Sequence, residues 1–452
     1  MRAVRAVLEA ADARRVRIYL VGGPVRDWLL GRAVVDADLL VEPRDGLDAP
    51  ALAAAVEGPQ LRASVHERFG TVTLGLAGAR VDIATVRRES YAHDGALPSV
   101  EAGSLEADLL RRDFSVNTLA LPLSATARAK HAGVVDVAGG LGDLERRCLR
   151  VLHARSFHDD PTRALRAARL APRLGFSLAR DSRPALRAAL RDGAFGRVSG
   201  ERLRREIAKL FEDAARGLDP ARALRLLDDW HVLGALEPGL VLDRSAGAGL
   251  RRLGRAVAAP PWPAPRWRPW VSGLALWLTP LPPALRRRTT RRLAVRGEQA
   301  ERVAGFPRVR DTRLRALGRA RGRGAVDAEL AGLDEDSLLA LYAWAPPPER
   351  RRIARWAAED RQRRLPVNGD DLLALGISGP AVGKALARVR MAWLDGSLSG
   401  REEALALARE VSRRRSPRGS AQAPRKPRDA GKGGRGPGGK RSPSGKRGPR
   451  AK

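Results

Sequence analysis

The sequence predicts an α+β chain, with strands near the N-terminus and helices thereafter. Three observations carry that prediction. Residues 16–41, VRIYLVGGPVRDWLLGRAVVDADLLV, read as strand, glycine turn, short helix and strand. Residues 71–85 read as a hairpin. Beyond residue 150 the apolar residues recur at helical rather than strand spacing.

Taken in order, residues 1–15 predict a helix ahead of the first strand. In that strand Val16, Ile18 and Leu20 alternate with Arg17, Tyr19 and Val21, the period-2 pattern of a pleated strand. Gly22-Gly23 break it. Pro24 sits at the expected first helical position, where its missing N–H costs nothing, and Gly31 is placed to end the helix. In the next strand Asp36 and Asp38 share one face, because residues i and i+2 point the same way, while Val35, Ala37, Leu39 and Val41 are expected to face the core. Residues 47–57 predict a helix. The hairpin is expected to turn at Ala77-Gly78, with Val81 and Ile83 on one face. Asp82 lies on the other, which would bring a third carboxylate beside Asp36 and Asp38. Residues 88–108 lack periodicity and read as a mobile loop.

Two carboxylates side by side repel unless a cation lies between them, and hard oxygen ligands select Mg²⁺ or Mn²⁺. Magnesium held this way normally carries substrate phosphates as well. The Gly22-Gly23 turn supplies a backbone that a phosphate can approach closely, with the helix N-terminus behind it and Arg26 in the first turn. A lone acid pair or a lone glycine turn says little. In this order along strand, turn, helix and strand, the two point to metal-dependent nucleotidyl transfer.

The run from Gly22 to Gly31, followed by Asp36-Ala37-Asp38, resembles the signature of the class II tRNA nucleotidyltransferases and bacterial poly(A) polymerases. These belong to the polymerase-β-like nucleotidyltransferase superfamily. Residues 110–120, LRRDFSVNTLA, resemble that family's second motif, usually RRDFTINA. By this resemblance Arg112 contacts the incoming nucleotide and Asp113 orients its ribose. Asp82 occupies the place of the family's third acid. The stretch 157–169, FHDDPTRALRAAR, is the third match, although Asp159-Asp160 stands where Glu-Asp is usual. Asp160 is expected to cap a helix with Pro161 at its first position. Arg163, Arg166 and Arg169 then form a basic stripe, and Pro172 predicts a kink or an early end.

C and A present an exocyclic amine beside an acceptor ring nitrogen, whereas U and G present a carbonyl beside an N–H. A carboxylate paired with an arginine would accept the first two and reject the others. The resemblance makes Asp160 and Arg163 that pair, with Arg166 and Arg169 on phosphate or positioning duty. The implied fold is a nucleotidyltransferase head with a mixed sheet, then all-α neck, body and tail. The expected boundaries are 1–138, 139–240, 241–365 and 366–412, with a disordered basic tail at 413–452. The implied activity is template-independent addition of CCA to the tRNA 3′ end from CTP and ATP, with two Mg²⁺ at Asp36 and Asp38.

The head motifs are shared with A-adding, CC-adding and poly(A)-adding members, so those remain alternatives. The acid strand VVDAD leans towards tRNA, because the poly(A) branch usually carries Pro-Lys-Asp-Phe-Asp there. SFHDDPTRALRAARL also resembles A-adding members, and the basic tail leans weakly to the poly(A) branch. A catalytically silent RNA-binding protein is disfavoured by the intact Asp36, Asp38 and Arg112. An HD-type phosphohydrolase is disfavoured because His158-Asp159 lacks partner ligands.

Composition agrees. The formal net charge is +33 over 452 residues, which points to a polyanionic partner. Lysine occurs at only three positions before residue 416, so part of the arginine content is codon bias; bias does not explain the excess over acids. From Ser416 on there are twelve Lys or Arg against one Asp, with no apolar periodicity. Cys148 is the only cysteine, which excludes an intrachain disulfide and fits a reducing cytosol. No run of 18 uncharged apolar residues occurs, so no membrane span is expected, and no obligate protein partner is evident.

Overall fold

A computed structural model describes residues 2–34, 36–56, 62–66, 70–76, 79–90, 99–129 and 133–413. The expected turn at Ala77-Gly78, the centre of the 88–108 loop, Val35 and the basic tail from residue 414 lie outside the described residues.

Helix α1 (Arg2–Ala13) precedes β1 (Arg17–Val21), α2 (Gly23–Leu29) and β2 (Ala37–Glu42). Then come α3 (Ala49–Ala54), β3 (Arg62–His66), β4 (Thr71–Leu76), β5 (Ala79–Thr85), β6 (Arg87–Ser90), β7 (Ser99–Ala102), α4 (Leu105–Leu110) and β8 (Ala120–Pro122). Among the described residues the main sheet runs β3-β4-β5-β2-β1-β8. Only the β2–β5 pair in it is parallel, so the sheet is mixed. β6 and β7, inside the stretch expected to be loop, pair as a separate hairpin.

Strand β2 sets the positions of the acids. Leu39, Leu40 and Val41 are all buried, not only the alternate residues. Leu39 and Val41 pack with Val7, Ile18, Leu52 and Ile83 on one face. Leu40 packs with Val21, Val86, Leu109 and Ala120 on the other. A strand covered on both sides reads as a continuous apolar run. Its N-terminal end, at Asp36 and Asp38, opens to solvent.

Short helices α5 (Ala125–Ala129), α6 (Gly140–Glu145) and α7 (Ser156–Asp159) lead to α8 (Thr162–Leu174), α9 (Arg183–Arg191), α10 (Gly200–Glu212) and α11 (Pro220–Asp229). Helix α8 begins one residue later than the sequence suggested. Pro161 is its N-cap, and Asp160 Oδ1 accepts from the N–H and Oγ1 of Thr162 at 3.0 and 2.6 Å. Pro172 lies in its last turn, and the helix stops at Leu174 with Gly175 in the left-handed region (φ +73°).

One apolar core runs from Val25, Phe114 and Val116 through α8, α10 and α11 into the later helices, ending at Ala357. Residues 270–278 of the helix Pro269–Leu278 are all buried. At ten residues it is a core helix. Among the described residues no helix is long and apolar enough to cross a membrane.

The chain divides into two compact units. The first is Met1–Pro366 with Arg390–Ser399, and the second is Val367–Val389 with Gly400–Lys452. Within the second, Asn368 and Asp371 form a reciprocal cap at the start of Gly369–Ala374, and Asp371 also pairs with Arg401 at 2.5 Å. Every residue of the candidate site belongs to the first.

Candidate active site

Gly22 connects β1 to α2 with φ +73° and ψ −131°, a backbone state that a Cβ would strain. A Cβ there would also lie 2.6 Å from Arg112 Nη1. Its N–H donates to the Leu119 carbonyl at 2.9 Å. The Gly22 N–H is thus already engaged within the protein. Gly22 is tied to the sheet and floors the Arg112 guanidinium, and Gly23 is the glycine of the pair that lines the cavities. Arg26 is buried, donating from Nε to Asp27 at 2.8 Å and from Nη1 to Asn117 Oδ1 at 2.7 Å. It forms wall, holding α2 against the segment 113–117.

Asp36 immediately precedes β2, Asp38 lies within it, and Asp82 lies opposite Asp38 in the parallel register with β5. All three line a cavity of about 700 Å³. Thr73 faces Asp82 across the β4–β5 ladder, and its Oγ1 donates to Asp82 Oδ1 at 2.6 Å; Arg80 Nε donates to the same oxygen at 3.1 Å. Arg216 Nη2 lies 3.4 Å from Asp36 Oδ2. Burial raises the Asp38 carboxyl above its ordinary range; Arg112 opposes this, while Asp82 and Asp36 add to it.

Among the described residues no three His, Cys, Asp or Glu side chains gather at metal-ligand spacing. Asp82 nonetheless lines the same cavity as Asp36 and Asp38, with Thr73 and Arg80 engaging its Oδ1. The donor chemistry still suits magnesium, which binds through one or two carboxylates and completes its shell with water and substrate phosphate. Asp36 and Asp38 supply that number of hard oxygen ligands.

A second cavity of about 420 Å³ adjoins the first, sharing Gly23, Arg26, Asp38 and Arg173 with it. Seven arginines line it against four carboxylates, a balance suited to a polyphosphate. Arg112 reaches it from the end of α4. Its Nη2 pairs with the fully buried Asp108 at 3.3 Å, while its buried Nε has no protein partner.

The basic stripe of α8 is sorted by its partners. Arg166 is bound by Asp113, at 2.8 Å from Nε and 2.6 Å from Nη2. Arg169 is bracketed by Glu206 and by Asp213, the latter at 2.8 Å. Both line the cavity as paired side chains. Asp113 also accepts from Asn117 Nδ2 at 2.8 Å. Burial alone would raise its carboxyl, but the Arg166 charge and the bonds from Asn117 and Arg166 outweigh that and hold it at about 2. Asp113, expected to orient the ribose, lines this cavity as the partner of Arg166 in a buried ion pair.

Arg163 differs. It is only 4 % exposed, its Nη2 donates to the Arg111 carbonyl at 3.0 Å, and its buried Nη1 has no protein partner. Asp160 lines the same cavity, and its Oδ1 also accepts from Arg202 Nη2 at 2.8 Å. A buried unpaired donor costs roughly 1–3 kcal/mol, so Nη1 is set up for an acceptor that arrives with a ligand.

Several residues escaped the sequence reading: Asp108, Asn117, Arg202, Glu206 and Asp213. Two carried a signal. Asp108 stands three and four residues before Arg111 and Arg112, the spacing of helical ion pairs. Glu206 interrupts the buried stripe Leu203, Ile207 and Leu210, and an acid on an apolar face implies a buried cation. Arg202, Asn117 and Asp213 gave none for the contacts made here, because Asp160, Arg26 and Arg169 are distant from them in sequence.

An acid pair at the open end of a mixed sheet, beside an arginine-lined cavity of nucleotide size, defines a nucleotidyltransferase. Comparison with known proteins agrees. The family model of the poly A polymerase head domain matches residues 18–150. An A-adding tRNA nucleotidyltransferase of Geobacter sulfurreducens is 32 % identical over 414 residues, 88 % of this chain; the chain spans 46 % of that relative's length. A CC-adding tRNA nucleotidyltransferase of Deinococcus radiodurans is 35 % identical over 392 residues, covering 85 % of this chain and 87 % of the relative. Among solved structures, a CCA-adding enzyme in complex with ATP superposes with a TM-score of 0.69 at 26 % identity, covering 93 % of this chain and 95 % of that one. The chain belongs to the tRNA nucleotidyltransferase family.

Proposed function

We propose that this protein adds C and A to the 3′ end of tRNA without a nucleic-acid template, building CCA from CTP and ATP. The observation that carries the reading is the cavity wall formed by Asp160 and Arg163. A carboxylate acceptor stands there with a guanidinium whose buried Nη1 lacks a partner. Cytosine and adenine present the complementary donor and acceptor. The likeness to an enzyme solved with ATP supports the same reading.

In this mechanism the base lies against Asp160 and Arg163, and the triphosphate lies among the arginines around Arg112. Asp36 and Asp38 would hold Mg²⁺, two ions in the expected arrangement, which would supply neutralisation of triphosphate charge and a lowered pKa for the tRNA 3′-hydroxyl. The 3′-hydroxyl releases its proton to water as its oxygen bonds to the α-phosphorus in line and the bond to pyrophosphate breaks. Asp82, fixed by Thr73 and Arg80, faces the attacking hydroxyl. Arg166 and Arg169, already paired, tie α8 to Asp113, Glu206 and Asp213. The head is residues 1–138, and the helices after it read the base and hold the RNA.

Addition of A alone or CC alone is the second reading, favoured by the Geobacter and Deinococcus relatives that carry those names. Primer extension on tRNA ending at the discriminator base, at C or at CC, with each labelled NTP alone and in pairs, decides. Two C then one A, stopping there, is the expected result. Addition of A only to the CC end, or of CC only, would replace it with the narrower activity. A long A ladder on any RNA would contradict tRNA specificity.

A further inference from the structure

Arg202, in the first turn of α10, does not line the nucleotide cavity, yet its Nη2 lies 2.8 Å from Asp160 Oδ1. The same oxygen takes the N–H and hydroxyl of Thr162 at 3.0 and 2.6 Å. Three donors therefore converge on Oδ1, and Oδ2 takes no part in these bonds. Arg163 is anchored in a matching way, with Nη2 on the Arg111 carbonyl and Nη1 left over. Each member of the pair thus has one atom fixed by protein and one turned to other use.

We propose that Arg202 is the positioning residue for nucleobase selection, fixing Asp160 through Oδ1 so that Oδ2 is presented to the base. This rests on the base-reading role of Asp160 and Arg163 given above. The physical reason is specific. A carboxylate free to rotate presents its acceptor oxygens in varying directions and would hold the amine edge of C or A less selectively. A carboxylate pinned through Oδ1 by a guanidinium and an N–H is fixed in direction, with Oδ2 left as the acceptor. Discrimination then arises because a wrong base leaves polar groups unpaired in the cavity. Helix α10, which contributes Arg202 and Glu206, accordingly braces both the base pair of residues and Arg169.

The test is steady-state incorporation of each of the four NTPs, with Mg²⁺, by the full chain and its Arg202→Ala, Arg202→Lys, Thr162→Ala and Asp160→Asn variants. For Arg202→Ala the ratio of kcat/KM for ATP over GTP, and for CTP over UTP, is expected to fall about tenfold or more. The loss should appear as raised KM for ATP and CTP with kcat changed less. Arg202→Lys should recover most of the discrimination, since an ammonium also donates to Oδ1. Thr162→Ala, which keeps the arginine, should move the ratio the same way, and it carries the test if Arg202→Ala does not fold. An equal loss for all four nucleotides, or unchanged ratios in both Arg202→Ala and Thr162→Ala while Asp160→Asn relaxes them, would overturn the Arg202 role alone. Unchanged ratios in Asp160→Asn would overturn the base-reading role as well.

Discussion

At the scale of single residues, the site consists of a few unpaired groups held by many paired ones. Gly22 shows the closeness of the fit: positive φ and 2.6 Å between a would-be Cβ and Arg112 Nη1 leave no room for a side chain. Gly22→Ala is expected to cost about 1–2 kcal/mol from backbone strain alone. It should also raise the KM for nucleotide, because Arg112 must move; chemical denaturation and NTP kinetics read the two effects separately. Asp113 supplies the pH test. Its carboxyl, held at about 2 in the fold, is depressed below its unfolded value. The stabilisation it gives is therefore complete above the unfolded pKa of about 3.9 and is lost as pH falls through the folded one. The contribution at neutral pH is on the order of 2 kcal/mol. Asp113→Asn should remove it, so that the wild type and variant stabilities converge between about pH 4 and pH 2. A constant gap across that window would contradict the assignment. Asp36 and Asp38 were legible in the sequence because a period of two places them together. The pairing of Asp113 with Arg166 was not, since 53 residues separate them and both had family roles on offer.

At the scale of elements, sequence reasoning did best where local geometry decides. The strand–turn–helix–strand order around Gly22 and the stop of α8 near Pro172 follow from φ restrictions and from a missing N–H. It did less well where tertiary cover decides. Leu40 is buried because α4 lies over the face that Asp38 leaves open further along, which no single-strand pattern reveals. The segment 88–108 reads as loop by composition, yet Arg87–Ser90 and Ser99–Ala102 pair with each other. The end of α8 is also a junction: Arg32 donates to the Arg173 carbonyl at 3.1 Å, and the Arg173 side chain reaches Asp27 at 3.3 Å. Gly175 closes the helix in the left-handed region with no heavy atom near a would-be Cβ. Gly175→Ala should therefore destabilise by about 1–2 kcal/mol through backbone conformation only. Activity per folded molecule should be unchanged, as a thermal melt beside a single-turnover assay would show.

At the scale of the whole molecule, charge is the dominant feature. The net +33 coexists with a site whose arginines are largely committed to internal acids. RNA attraction should therefore come from the remaining helices, and nucleotide reading from the few groups left unpaired. Raising salt from 50 to 200 mM is expected to weaken tRNA binding by about 100-fold or more, as counterion release dictates. The KM for ATP should change far less, and a parallel loss of both would mean that one surface serves both ligands. The most direct test of the central claim is single-turnover incorporation of labelled ATP and CTP by Asp36→Ala, measured beside tRNA binding by the same protein. Incorporation is expected to fall by at least about 10³-fold with tRNA affinity close to wild type. Retained incorporation, or loss of tRNA binding together with activity, would contradict a reaction centre built on Asp36 and Asp38.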